Sequence, residues 1–320
     1  MRVLVTGIAG FAGPVVAAAL LEAGHEVHGL VRGTGPWQRL AAFSLLPGSL
    51  HRGDLADGGF PDLVRAVSPD AVVHLAALSF APAAERDPAG AYRTNLGGTL
   101  TVLAAVRAHA PRARLVAVTS GDMYGAVRAE ELPVVEDTPL RPVSVYGASK
   151  AAADLAAAQW ARAYDLDVVR ARPFNHTGPG QSPDFVCSAL ARQLALIEAG
   201  KQEPVVRVGN ADSVRDFSDV RDIAAGYVAL LERGRAGEAY NLCSGEGVSI
   251  AEVIAILRTH ARVPVRVQSD PALKRAVDVP RIVGSHERAT ADTGWRPRIG
   301  LGDTLGALLE DWRGRIAAGA

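Results

Sequence analysis

Residues 2–24 read "RVLVTGIAGFAGPVVAAALLEAG". A Val/Leu run opens the stretch, glycines follow at Gly7, Gly10 and Gly13, and an alanine- and leucine-rich run closes it. The apolar run bounded by glycine reads as a buried strand, and the rest as a helix. Glycine permits the tight turn between them and lets backbone N–H groups approach a pyrophosphate at the helix N-terminus. A glycine-rich turn alone is weak evidence. Placed after a strand and before a helix, in the first unit of the chain, it reads as a dinucleotide-binding turn.

The same rhythm continues outward. "HEVHGLV", "SLHRGDL", "AVVHLAA", "ARLVAVTS" and "DVVRARP" read as strands, separated by helical stretches such as "FPDLVRAV", "AYRTNLGGTLTVLAAVRAHA" and "VYGASKAAADLAAAQWARAY". Continuous Val/Leu strands are buried on both faces, as in a parallel sheet, and helical crossovers make the fold doubly wound. After Pro173 the pattern changes: "FNHTGPGQSPDF" reads as a loop. A mixed set follows, with strands at "PVVRVG" and "EAYNLCS". The expected class is α/β, a Rossmann-like doubly wound parallel sheet with a smaller mixed α/β C-terminal domain. The expected division is residues 1–174 for the cofactor, with about 213–243 returning to it, and the remainder of 175–320 mainly for substrate.

Bulk composition excludes several functions. The 320 residues carry 34 Lys+Arg against 34 Asp+Glu, which leaves no basic footprint for nucleic acid or a membrane surface. No apolar run approaches the roughly 20 residues of a membrane helix. The chain opens directly on a strand, so no signal peptide is expected and the cytoplasm is the expected location. The two cysteines, Cys187 and Cys243, form neither metal spacing nor disulfide framework and read as buried apolar residues. The eight histidines form no ligand set, so no metal is expected.

Several residues carry chemistry. The second strand ends "GLVRG", with Arg32 where a carboxylate would suit an unphosphorylated ribose. A guanidinium suits a 2′-phosphate, which favours NADP(H), with NAD(H) as a further option. Asp54 in "RGDL" follows the third strand and can accept from the adenine amine; a local cap is the plain alternative. Tyr146 and Lys150 stand four apart, on one face of a helix. An ammonium beside a phenol favours the phenolate, which would make Tyr146 a usable acid or base near neutral pH. Ser120 closes a strand, where ligands bind in such sheets. His74 reads as a buried polar residue bonded to backbone, and Trp160, Trp295 and Trp312 as core or interface.

Together, the glycine spacing, "HLAA" at 74–77, Asn95, Ser120 four residues before Tyr124, and the Tyr146/Lys150 pair resemble the extended short-chain dehydrogenase/reductase family over essentially the whole chain. The resemblance implies a catalytic set of Ser120, Tyr146 and Lys150. It implies cofactor contacts from Gly7, Gly10, Phe11, Ala12, Gly13, Arg32, Asp54, Leu55, Leu75, Ala76, Ala77, Asn95, Tyr146, Lys150 and Pro173. It also implies a nucleotide-sugar substrate in the second domain, and a homodimer or dimer of dimers paired through the helices starting near Tyr92 and carrying Tyr146.

"RPFNHTGPGQSPDFV", "SVRDFSDVRDI" and "YNLCSG" more narrowly resemble the GDP-6-deoxy-4-keto-mannose reductases. That likeness implies NADPH-dependent reduction of a C4 ketone on a GDP-linked 6-deoxy sugar, giving GDP-D-rhamnose. Substrate contacts would come from Ser120, Asp122, Tyr146, Asn175, Arg215, Arg275 and Asp278. The last two lie in "RAVD", where the family pattern is "RPxE". The rivals are a GDP-mannose 4,6-dehydratase, another dehydratase or epimerase of this fold, and a non-catalytic NADP-binding redox sensor. Related dehydratases carry a Glu where this chain has Asp122. Aspartate is one methylene shorter, which sets its carboxylate about 1–1.5 Å back, so Asp122 is expected to orient the sugar rather than to drive elimination.

Overall fold

A computed structural model describes residues 1–33, 40, 48–273 and 279–319. The strands of its first part are β1 (Arg2–Thr6), β2 (Glu26–Val31), β3 (Leu50–Arg52), β4 (Ala71–His74), β5 (Arg114–Val118) and β6 (Val168–Pro173). The helices between them are α1 (Gly13–Glu22), α2 (Phe60–Val67), α3 (Ala81–Arg86), α4 (Pro88–Tyr92), α5 (Gly98–His109) and α6 (Val145–Tyr164). The later part holds β7 (Asn175–Thr177), α7 (Val186–Glu198), β8 (Val205–Val208), β9 (Val214–Asp219), α8 (Val220–Arg233) and β10 (Ala239–Leu242). It ends with β11 (Gly247–Ser249), α9 (Ile250–His260), β12 (Arg266–Ser269), β13 (Arg281–Ile282), α10 (Glu287–Thr293) and α11 (Leu301–Ala317).

Seven strands form one parallel sheet in the order β10-β6-β5-β4-β1-β2-β3. Strand order reverses between β1 and β4, so a crevice opens at their carboxyl ends. The period of two along β1 divides the core. Val3 and Val5 face α1 and α8 with Val16, Leu20, Tyr227 and Leu230. Leu4 faces the other layer with Val72, Leu103, Val106 and Leu115. All these side chains are buried. The expected doubly wound α/β fold is what the chain adopts.

The remainder builds around a second core of Leu190, Leu194, Val253, Leu257, Leu305, Leu308 and Trp312. Here β9 pairs with β7, β11 and β13, while β8 pairs with β12. The alternating "VRDFSD" of β9 hides its strand, because Asp216 and Asp219 are charged yet fully buried. The region after Pro173 expected as loop contains β7, a short rung on β9. The long helix expected over "AYRTNLGGTLTVLAAVRAHA" runs through a π turn at Arg93–Gly97, where one extra residue turns Asn95 inward. Among the described residues, no helix is long and apolar enough to cross a membrane.

Candidate active site

The glycine turn has a steric basis. Gly7 takes φ +72°, and a Cβ there would lie 2.7 Å from the Ala76 nitrogen. A Cβ at Gly13 would lie 2.2 Å from the Ile8 carbonyl oxygen. Both contacts are with backbone, so neither position has room for a side chain. The tight turn sets the start of α1 at the crevice, with Ala12 offering no side-chain cap and leaving first-turn N–H groups for an anion. Arg32 follows β2 and reaches Asp54, with Nη1 3.6 Å from Oδ2. Asp54 Oδ1 meanwhile accepts from the Ala56 N–H at 3.0 Å, so its local bond is a turn. An uncapped N-terminus for a diphosphate and an accessible guanidinium for a 2′-phosphate fit a phosphorylated dinucleotide.

The crevice is a cleft of about 1800 Å³ that runs from this turn into the second part of the chain. It is lined by Gly7, Gly10, Phe11, Ala12, Gly13, Arg32, Asp54, Leu55, Leu75, Ala76, Ala77 and Pro173 at one end, and by Asn175 and Arg215 at the other. Ser120, Asp122, Tyr146 and Lys150 also line it. Asn95 stands apart from this set. Its side chain is buried, bonded to the Leu78 backbone at 2.8 and 3.1 Å and to Ser149 Oγ at 2.9 Å. It holds the cleft wall against α6 rather than facing the cleft. Arg275 and Asp278 lie outside the described residues.

Helix α6 starts at Ser144, whose Oγ accepts from the Gly147 N–H at 3.0 Å. Glu85 adds a second bond there, accepting from the Val145 N–H at 2.8 Å. This entry places Tyr146 one residue into the helix and Lys150 one turn further. Ser120 ends the β5 exit and caps a short 3₁₀ turn by accepting from the Asp122 N–H at 3.2 Å. The Ser120 hydroxyl lies near enough to Tyr146 to act on its phenol. Lys150 donates to the Val118 carbonyl at 2.8 Å. The carboxyl end of one strand thus meets the first turns of one helix, and the three expected groups converge.

The electrostatics differ from expectation. The ammonium of Lys150 does not pull the Tyr146 phenol down. Burial pushes the phenol up, the Asp122 carboxylate pushes further, and only the Ser120 hydroxyl opposes. Lys150 is itself desolvated, which brings its pKa down to about 8. The Lys150 ammonium is committed to the Val118 carbonyl and does not offset the burial of the phenol. The phenol is therefore protonated at neutral pH and holds a proton to give, although the upward shift makes it a weaker acid than an ordinary tyrosine.

His74 is buried, but its partners are side chains, Thr6 Oγ1 at 2.8 Å and Thr99 Oγ1 at 3.2 Å, rather than backbone. Burial brings its pKa down to about 3, so it remains neutral and structural. Cys187 and Cys243 are buried free thiols. Trp295 and Trp312 are core residues, and Trp160 is partly buried. Two aromatic contacts across the cleft escape a sequence reading. Phe80 meets Phe185 edge-on at 6.0 Å, and Phe11 stacks on His176 at 6.0 Å. Glu85 and Asp154 were equally invisible, because their partners are distant in sequence.

The family model for GDP-mannose 4,6 dehydratase matches residues 4–307. The GDP-6-deoxy-D-mannose reductase of Pseudomonas aeruginosa is 40% identical over 98% of each chain. A Corynebacterium glutamicum UDP-glucose 4-epimerase is 31% identical over 93% of this chain and 91% of its own. Among solved structures, RMD from Pseudomonas aeruginosa complexed with NADPH superposes with a TM-score of 0.84 at 38% identity, covering 98% of this chain and 99% of that one. The Thermus thermophilus UDP-glucose 4-epimerase in complex with NAD gives 0.85 at 31%, covering 98% and 99%. The glycine turn, the β5 exit and the α6 pair thus sit in a chain whose whole length follows one pattern: it belongs to the GDP-mannose 4,6-dehydratase family of nucleotide-sugar oxidoreductases, within the extended short-chain dehydrogenase/reductases.

Proposed function

We propose that this protein uses NADPH to reduce the C4 ketone of GDP-4-keto-6-deoxy-D-mannose to GDP-D-rhamnose. The observation that supports this most is the full-length similarity to a GDP-6-deoxy-D-mannose reductase. A phenol held protonated at the cleft agrees with it, since reduction of a ketone consumes a proton. The cofactor, when bound, supplies the hydride. Gly7, Gly10, Phe11, Ala12 and Gly13 form its diphosphate turn, and Arg32 faces the 2′-phosphate. Ser120 holds the ketone oxygen and stabilises the charge that develops there. Tyr146 gives that oxygen its proton. Lys150 follows Tyr146 on the helix and supports the phenolate left behind. Asn175 and Arg215 hold the sugar nucleotide, and Arg275 and Asp278 are assigned to its ribose and diphosphate. Asp122 orients the sugar.

We assign residues 1–174 to the cofactor half and the rest mainly to the substrate half, the return expected over about 213–243 being narrowed to α8 and β10 because β9 joins the second sheet. We also propose a homodimer or dimer of dimers in the cytoplasm. Exposed apolar side chains at Tyr92, Leu100, Leu155 and Tyr164 support pairing through α4, α5 and α6, and two free thiols suit a reducing compartment. A monomer by sedimentation at all concentrations would reject the pairing.

A second reading, GDP-mannose 4,6-dehydratase, is favoured by one feature: Asp122 lines the cleft and acts on Tyr146 electrostatically. One pair of assays separates the two. With GDP-4-keto-6-deoxymannose, the reductase reading expects consumption of NADPH and a rhamnosyl product by NMR. With GDP-mannose and no added NADPH, it expects no 4-keto-6-deoxy product. Formation of that product at a comparable rate would replace the reductase reading by the dehydratase one.

A further inference from the structure

One buried ionic cluster has no part in the chemistry above, yet touches both α6 and the turn after β5, which carry Tyr146, Lys150 and Ser120. Asp154 follows Lys150 by four residues, as Lys150 follows Tyr146, so the three share one face of α6. Asp154 is fully buried. Its Oδ1 accepts from Arg172 Nε at 3.0 Å and from Thr119 Oγ1 at 3.2 Å, the hydroxyl being shared with the Ala171 carbonyl at 3.1 Å. Its Oδ2 accepts from Arg172 Nη2 at 2.7 Å and Arg170 Nη1 at 2.8 Å. A carboxylate so enclosed is stable only because charged donors fill its lone pairs. Arg172 extends the cluster to the Tyr124 hydroxyl at 2.9 Å and the Glu136 carbonyl at 2.7 Å, and Tyr124 donates to Asn241 Oδ1 at 2.7 Å.

The contacts form a ladder. Two successive residues at the end of β5 bond two residues of α6 spaced by four, Val118 with Lys150 and Thr119 with Asp154, and the next, Ser120, lines the cleft with Tyr146 and acts on its phenol. The far side of the same turn, at Tyr124, is tied to Arg172. Slippage of the turn against the helix would therefore break charge-assisted bonds around a buried carboxylate.

We infer that Asp154, acting through Thr119 and Arg172, is a positioning residue that fixes Ser120 and Asp122 in register with Tyr146. The inference rests on the catalytic roles proposed for Ser120 and Tyr146. A displacement of a fraction of an ångström between them lowers the rate of the chemical step while leaving the binding surfaces intact, since about 1 Å of misplacement can cost about a hundredfold.

Three variants test it. Thr119→Val removes one rung of the ladder and is nearly isosteric. Asp154 keeps its three guanidinium bonds, and the Ala171 carbonyl, which loses the shared hydroxyl, keeps its bond from the Thr119 N–H. The expected loss in kcat is about three- to tenfold, with KM for both substrates within about twofold of wild type. Thr119→Ser restores the hydroxyl and should restore kcat. Asp154→Asn should lower kcat at least about thirtyfold with the same unchanged KM values. If that variant does not fold, the valine–serine pair decides. In parallel, amide hydrogen exchange of the free protein should be faster over residues 118–125 in Thr119→Val. Wild-type kcat in folded Thr119→Val, or a loss that serine does not restore, overturns the inference. An inert wild-type enzyme would instead overturn the proposed reaction, and the exchange result would then decide the positioning role: unchanged exchange over 118–125 rejects it.

Discussion

In the proposed site, Arg32 selects NADPH over NADH with Asp54 as its neighbour, and the geometry of the pair gives the size of the expected effect. The two charges stand 3.6 Å apart, and the Arg32 side chain is 78% exposed. In water such a pair is worth about 1 kcal/mol, and exposed pairs measure about 0.2–1 kcal/mol once screened. Releasing Arg32 by Asp54→Asn therefore improves kcat/KM for NADPH by at most about fivefold. Arg32→Ala removes a charged donor to a 2′-phosphate, worth about 1.5–3 kcal/mol, and leaves Asp54 facing the phosphate. The expected loss in kcat/KM for NADPH is about tenfold to a few hundredfold. NADH, which lacks the phosphate, should change by less than about twofold. Arg32→Asp should go further and favour NADH. Added salt should narrow the wild-type preference, because the site is open to solvent. The assay is steady-state reduction of the keto-sugar with each cofactor at two ionic strengths. A ratio of NADPH to NADH kcat/KM within about threefold of wild type in Arg32→Ala would refute the assignment.

Tyr146→Phe should lower kcat by about two to four decades with dinucleotide binding unchanged by calorimetry; near-normal turnover at neutral pH would remove it as the proton donor. Asp122→Asn should raise KM for the keto-sugar and lower kcat only modestly, and it also removes the charge that raises the phenol, so the alkaline limb of kcat should move to lower pH. A loss as deep as that of Tyr146→Phe would instead make Asp122 a proton-transfer group. Burial lowers Lys150 from 10.5 to about 8, so below pH 8 the folded protein carries a penalty for its buried ammonium. Between about pH 8 and 10.5 the unfolded chain binds the proton that the folded one has lost, and the penalty fades as pH rises. The stability of the free wild-type protein relative to Lys150→Met should therefore increase across that window in denaturant titrations; a pH-independent difference would contradict the burial argument.

Much of the first part was legible because its signals are local. The glycine turn, the Val/Leu runs and the four-residue Tyr146/Lys150 spacing each depend on neighbours within one turn or one strand. The direction of the Tyr146 shift was not, since burial by several elements and the charge of Asp122 outweigh the nearby ammonium. Asn95 in "TNLGG" looked like a cleft residue, and a π turn that periodicity cannot show rotates it into the wall. Asp154 sits in "AAAD", which reads as ordinary helix. Its meaning comes from Thr119, Arg170 and Arg172, which are distant in sequence and in direct contact in space. The strand β9 was hidden for a related reason. Its carboxylates are buried because distant loops supply donors, as the Ser244 and Gly245 N–H groups do for Asp216 at 2.7 and 3.0 Å.

The position of β10 at the edge of the seven-stranded sheet bears on biosynthesis. The chain leaves that sheet after β6, builds much of the second part, and comes back with α8 and β10. Until residue 242 clears the ribosome, β6 presents an open hydrogen-bonding edge, and the apolar face of α1 that α8 covers stays uncovered. Such an edge invites pairing with another nascent chain. A truncated chain ending after β6 should for the same reason be held by chaperones or aggregate rather than yield a small dinucleotide-binding module.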